Sequence, residues 1–143
     1  MEKITVILGQ KESHFRYISP ASSLDEALCR MSCENTDHLV VMDDDDNFMG
    51  VITEHDIASK AILEKISLQK VAVKKLVNRG LPIATTDDTV EQCLQRMQRH
   101  KVKLLPVFEG YTFKGIISSD DILREIASNR ADIFDEDETP VIY

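Results

Sequence analysis

Two pairs of residues carry the chemistry that this sequence offers. Thr53 stands three positions before Asp56, and Ser118 three before Asp121, in the matching stretches GVITEHDI (50–57) and GIISSDDI (115–122). In both, a short β-rich run gives way to a helical pattern. A hydroxyl followed three residues on by an acid at such a junction is a capping pattern, the hydroxyl taking a free amide of the first helical turn. The same geometry serves a second chemistry. A hydroxyl and a carboxylate one turn apart at a helix start can hold a ribose, whose adjacent hydroxyls are good donors to a carboxylate. The residues alone fit both readings equally.

The elements that position these pairs are themselves repeated. The two stretches share four of eight residues at a shift of 65 positions. Upstream, at a shift of 66, Leu24, Leu28 and Met31 fall on Val90, Leu94 and Met97, and HLVV (38–41) falls on LLPV (104–107). The one-residue difference sits in a turn, MDDDDNFM against FEGYTFK. Each copy opens with an extended lead-in (16–19 and 81–85). A capping pattern follows, Ser22 with Asp25 and Asp88 with Glu91, and then apolar residues at helical spacing. Two β-rich runs around a polar turn come next (38–42 with 49–52, and 104–108 with 113–117), then the helical patterns DIASKAIL and DILREIAS. The fold class predicted is α/β (α+β), a β-α-β-β-α unit made twice. A unit this small cannot cover both faces of its sheet, so the two copies are expected to pack sheet to sheet about a pseudo-twofold axis, with ligands in the cleft between them. The expected boundaries are 11–68 for the first repeat, 69–130 for the linker and second repeat, and 131–143 for a mobile tail carrying Asp132, Asp135, Glu136, Asp137 and Glu138.

The doubled unit, with its hairpins read as LVVMD…GVITEHDI and LPVFE…GIISSDDI, resembles the CBS domain, named after cystathionine beta-synthase, over roughly residues 11–130. Tandem pairs of that domain, called Bateman modules, commonly bind AMP, ATP or S-adenosylmethionine. The resemblance implies that Thr53 and Asp56 hold the ribose at one site, and Ser118 and Asp121 at the other. It places the base against the lead-ins, at Tyr17 and Ile18 or at Pro82 and Ile83. It places His38 and Lys103 near the phosphates, where neither supplies the bidentate contact of an arginine. The residues allow blander roles: a locally bonded strand-end histidine for His38, a solvated side chain for Lys103, and plain core for Tyr17 and Ile18.

Composition excludes several function classes. A formal charge of -8 opposes a phosphate backbone, so nucleic acid is not an expected partner. The one basic run, Lys60, Lys65, Lys70, Lys74, Lys75 and Arg79, reads as a solvated face, with docking of an acidic partner as the alternative. No apolar run is long enough to span a bilayer and the N-terminus lacks a signal-peptide pattern, so no membrane insertion and a cytoplasmic location are expected. Cys29, Cys33 and Cys93 are odd in number with no CxxC pair, which fits a reducing compartment; Cys29 and Cys33, four apart near His38, read as core residues rather than a zinc site. Asp43, Asp45, Asn47 and Glu54 match calcium-loop spacing, but Phe48 stands where that loop needs glycine, and a polar hairpin turn is expected instead. The histidines at 14, 38, 55 and 100 are scattered, with no nucleophile elbow or phosphate loop.

The expectation is therefore a non-catalytic regulatory module, homodimeric through its helices, requiring no cofactor and binding an adenosine compound as regulatory ligand. With no further domain in the sequence, the regulated protein is expected to be a separate chain. A partner-binding scaffold without nucleotide is the alternative, and slow nucleotide hydrolysis a third reading.

Overall fold

Aliphatic runs too short for helices and bounded by polar turns form the strands, and the computed structural model describes residues 2–10 and 16–137. Helix α1 (Thr5–Gln10) comes first. In the first repeat, β1 (Tyr17–Ile18), α2 (Leu24–Cys33), β2 (His38–Met42), β3 (Phe48–Thr53) and α3 (Glu54–Glu64) follow. In the second come β4 (Ala84–Thr85), α4 (Val90–His100), β5 (Leu104–Glu109), β6 (Thr112–Ser118) and α5 (Ser119–Asp137). Each repeat holds a three-stranded sheet, ordered β1-β2-β3 and β4-β5-β6. In each, the lead-in pairs parallel with the middle strand and the hairpin is antiparallel, so the β-α-β-β-α unit is present twice.

The helix after each lead-in buries one residue set at matched positions: Leu24, Ala27 and Met31 on α2, and Val90, Cys93 and Met97 on α4. Their caps lie one residue beyond those expected. Ser23 rather than Ser22 accepts the Glu26 amide, at 3.1 Å. Thr89 rather than Asp88 forms a full capping box with Gln92. In both cases the displaced neighbour uses its backbone carbonyl, Ser22 accepting from Val73 N and Asp88 from Ile4 N. The tail expected from residue 131 begins as helix, since α5 runs on to Asp137; residues 138–143 lie outside the described part.

Those two carbonyls mark a feature with no counterpart in the sequence pattern. The chain divides into His14–Leu81 as one compact unit, and Met1–Ser13 with Pro82–Tyr143 as the other. The segment preceding each repeat completes the core of the other. Val73, in a 3-10 turn (Val73–Lys75), is buried with Leu24, Leu39 and Ile52 of the first repeat. Ile4 and Ile7 are buried with Val90, Leu105 and Ile117 of the second. The backbone bonds correspond: Val73 N donates to Ser22 O and Leu24 N to Val71 O, as Ile4 N donates to Asp88 O and Val90 N to Glu2 O, all at 2.8–3.0 Å. A β-bridge accompanies each, Ser23 with Ala72 and Lys3 with Thr89.

At two matched glycines these segments approach the hairpin closely. Gly50 has φ +155° and Gly115 φ +148°. A Cβ on Gly50 would lie 2.4 Å from Asn78 O, which is backbone, whereas one on Gly115 would meet Leu8 Cδ2 at 3.3 Å. A leucine methyl can rotate away and a hydrogen-bonded carbonyl cannot. We expect Gly50→Ala to lower stability by roughly 1–3 kcal/mol and Gly115→Ala by distinctly less. Urea unfolding of the two variants checks this, and equal losses would contradict it.

Candidate functional site

Thr53 ends β3 and caps α3, with φ -116° and ψ 156°, and its hydroxyl accepts the Asp56 amide at 3.1 Å. Ser118 ends β6 and accepts the Asp121 amide at 3.0 Å. Capping geometry is therefore present at both junctions. Antiparallel register sets His38 opposite Thr53, and Leu104, the residue after Lys103, opposite Ser118. Asp37 O accepts Glu54 N and Lys103 O accepts Ser119 N, both at 2.9 Å, which ties each helix start to the residue ahead of the middle strand.

The other expected residues separate by environment. Tyr17 is 54% exposed and Ile83 48%, while Ile18 is buried in the first core and Pro82 is half-buried. His38 Nδ1 lies 3.0 Å from Asp37 Oδ1, a local bond of the bland kind. Lys103 is exposed. Cys29 and Cys33, expected in the core, are exposed; α2 buries positions 24, 27 and 31, which turns 29 and 33 to the opposite face. Cys93 is buried, and burial pushes its thiol up to about 11, which leaves no thiolate for nucleophilic work at neutral pH.

The acidic turn satisfies itself. Asp43 accepts from Asp45 N and Asn47 N, both at 2.9 Å, and these bonds, led by that from Asn47, hold its carboxyl below the ordinary value. Among the described residues no three His, Cys, Asp or Glu side chains gather to hold a metal. The six basic residues of the run from Lys60 to Arg79 are all exposed on the unit His14–Leu81.

Sequence reasoning passed over one repeated pair, Arg30 and Arg96. Each reaches back thirteen residues to a lead-in carbonyl, Arg30 Nη1 to Tyr17 O at 2.7 Å and Arg96 Nη1 to Ile83 O at 3.0 Å. Their identity at a shift of 66 was the available signal. Because each lead-in strand is only two residues long, this bond is a large part of what fixes it. A groove of about 760 Å³ runs beside the first lead-in, lined by Tyr17, Ile18, Ser22, Arg30 and Glu34 among others. A second groove, of about 370 Å³, opens at Asp56 between α3 and the linker residues Lys75, Leu76, Val77 and Asn78.

The family model of the CBS domain matches the chain twice, over residues 12–62 and 73–128, once for each copy of the unit. The chain belongs to the CBS domain family. Similar solved structures include a putative signal-transduction protein with CBS domains from Burkholderia ambifaria, 22% identical at a TM-score of 0.83, covering 99% of both chains. A CBS domain pair in complex with 5′-methylthioadenosine and S-adenosyl-L-methionine has a TM-score of 0.74 at 24% identity, covering 90% of this chain and 98% of that one. Among curated proteins, a homoserine O-acetyltransferase of Methanosalsum zhilinae is 30% identical over 109 residues, which are 76% of this chain and 21% of the enzyme. The chain spans about a fifth of the length of the curated relatives it matches. Among the described residues no helix of the CBS pair is long and apolar enough to cross a membrane.

In the second repeat the lead-in depends on one further ion pair. Asp88 Oδ2 accepts from Arg96 Nη1 at 2.7 Å and from Thr85 N at 2.9 Å. Burial pushes the Asp88 carboxyl up, but the Arg96 bond and the Thr85 amide outweigh it, so its pKa lies below 3.8. A depressed carboxylate stabilises the fold above its unfolded value, and that contribution is lost as pH falls through the folded value. Asp88→Asn should therefore cost roughly 1–3 kcal/mol at pH 7. The gap to the parent chain should narrow as pH drops below 3.8, as read by urea unfolding at several pH values. A gap that stays constant in acid would contradict the assignment.

Proposed function

We propose that this CBS pair is a non-catalytic regulatory module that binds an adenosine-containing ligand such as AMP, ATP or S-adenosylmethionine. The observation that carries the reading is the doubled hydroxyl and carboxylate at the start of α3 and of α5, Thr53 with Asp56 and Ser118 with Asp121. Vicinal ribose hydroxyls donate to such a carboxylate, and the half-buried setting of both acids shields the bond from solvent. Exposed Tyr17 and Ile83 offer apolar surface to the base, on lead-ins that Arg30 and Arg96 hold in place. His38, opposite Thr53, and Lys103, whose carbonyl takes the Ser119 amide, are the basic residues at the two strand ends. The solved CBS pair with methylthioadenosine and S-adenosylmethionine supports the choice of ligand class.

Regulation follows if the ligand binds one arrangement of the protein better than another. The module is proposed to act as a homodimer in the cytoplasm, where its three free cysteines stay reduced, and to control a separate protein. Helix α3 supplies an aliphatic side chain for a dimer face, Ile62 at 75% exposure. Gel filtration should return twice the 16.2 kDa chain mass, and Ile62→Glu should return one; a single-chain mass for the parent would remove the dimer.

Thermal melting with AMP, ADP, ATP, S-adenosylmethionine and NAD tests the ligand. A ligand bound only by the folded state adds about 2.7 kcal/mol at a hundredfold excess over its dissociation constant. An upward shift with one adenosine compound, diminished in Asp56→Ala or Asp121→Ala, is the expected result. No shift with any of the five would move the reading to a partner-binding scaffold.

A further inference from the structure

The two ribose sites are alike in sequence and unlike in structure. In the second repeat the carboxylate is already engaged: Asp121 Oδ2 accepts the Ser118 amide at 2.9 Å, and Oδ1 lies 3.5 Å from Arg124 Nη1, with the side chain 12% exposed. In the first repeat the Asp56 amide is bonded to Thr53, but the Asp56 carboxylate has no hydrogen bond or ion pair among the described residues. Glu34 Oε2 is the only buried side-chain oxygen left without a hydrogen-bond partner among the described residues, so the Asp56 oxygens stand open to solvent, where two donor hydroxyls can reach them without displacing a protein bond.

The surroundings of Asp56 differ as well. It opens onto the groove of about 370 Å³, within the range of small-molecule sites. One turn along α3 the same groove holds Lys60, and the linker contributes Lys75. Lys60 is paired with Glu64, whereas Lys75 has no side-chain partner among the described residues. The groove thus has an acceptor end at Asp56 and ammonium groups at Lys60 and Lys75, with Leu63 and Val77 as apolar wall. A ribose phosphate has that polarity, donor hydroxyls on one side and negative charge on the other. S-adenosylmethionine is a net cation whose single carboxylate is offset by its sulfonium and ammonium, so it gains less from the lysines than a phosphate does.

We propose that the first-repeat site is the working one and that it takes a phosphorylated adenosine, with Asp56 on the ribose and Lys75, assisted by Lys60, on the phosphate. The proposal rests on the adenosine-ligand reading above. It departs from the sequence expectation by moving the phosphate contact from His38 and Lys103 to lysines of α3 and the linker.

Isothermal titration of the full chain with ATP, AMP, adenosine and S-adenosylmethionine tests it, with apo melting curves verifying that each variant folds. ATP is expected to bind about tenfold or more tighter than adenosine or S-adenosylmethionine, with an advantage that shrinks in high salt. Asp56→Asn should weaken ATP at least about tenfold more than Asp121→Asn does, and Lys75→Gln should narrow the preference for ATP over adenosine by about tenfold. A larger loss in Asp121→Asn would overturn the site assignment while leaving adenosine binding intact. Adenosine or S-adenosylmethionine binding as tightly as ATP, or an unchanged preference in Lys75→Gln, would overturn the phosphorylated ligand. Binding of none of the four would overturn this proposal and the reading beneath it together.

Discussion

The linker lies against the hairpin of the first repeat because position 50 has no side chain. Val51 N donates to Asn78 O at 3.1 Å and Asn78 N to Val51 O at 2.8 Å, a two-bond bridge on β3, the edge strand of its sheet. A Cβ on Gly50 would occupy the space of that carbonyl. The bridge holds Lys75, Leu76, Val77 and Asn78 as one wall of the groove at Asp56, while Val73 anchors the same segment in the core. The candidate site thus depends on a backbone approach, which sets the position of the linker more tightly than side-chain packing alone.

Duplication gave each repeat the same junction, and local bonding then distinguished them. Ser118 and Asp121 satisfy one another in both directions, as a reciprocal cap, with Arg124 beside the carboxylate. Thr53 and Asp56 bond in one direction only. The structural and the ligand-binding uses of the motif compete for the same carboxylate, so a complete cap stabilises a helix start and an incomplete one leaves an acceptor available.

What the sequence made legible was local. The paired motifs, the hairpins and the apolar faces of α2 and α4 follow from residue type at short spacing, and their shift of 65 or 66 exposed the repeat. The caps were misplaced by one residue because Ser22 and Ser23, and Asp88 and Thr89, are all capping types; Val73 N and Ile4 N, distant in sequence, bond the backbone of Ser22 and Asp88, and Arg96 with Thr85 N holds the Asp88 side chain. Likewise nothing in 2–8 or 71–77 says which core each segment enters, since that depends on pairing across many tens of residues. The cysteine error was avoidable. At a shift of 66, Cys29 and Cys33 align with Gln95 and Arg99, which are exposed, whereas buried Cys93 aligns with buried Ala27.

On the proposal above, an adenosine phosphate is received at Asp56 by a groove built in the first repeat. Amide chemical-shift mapping of the intact chain during an ATP titration tests it most directly, because each backbone position reports separately. Saturable shifts concentrated at residues 53–57 and 75–78 are the expected result. Shifts centred on 118–122, or no saturable shifts at all, would contradict it.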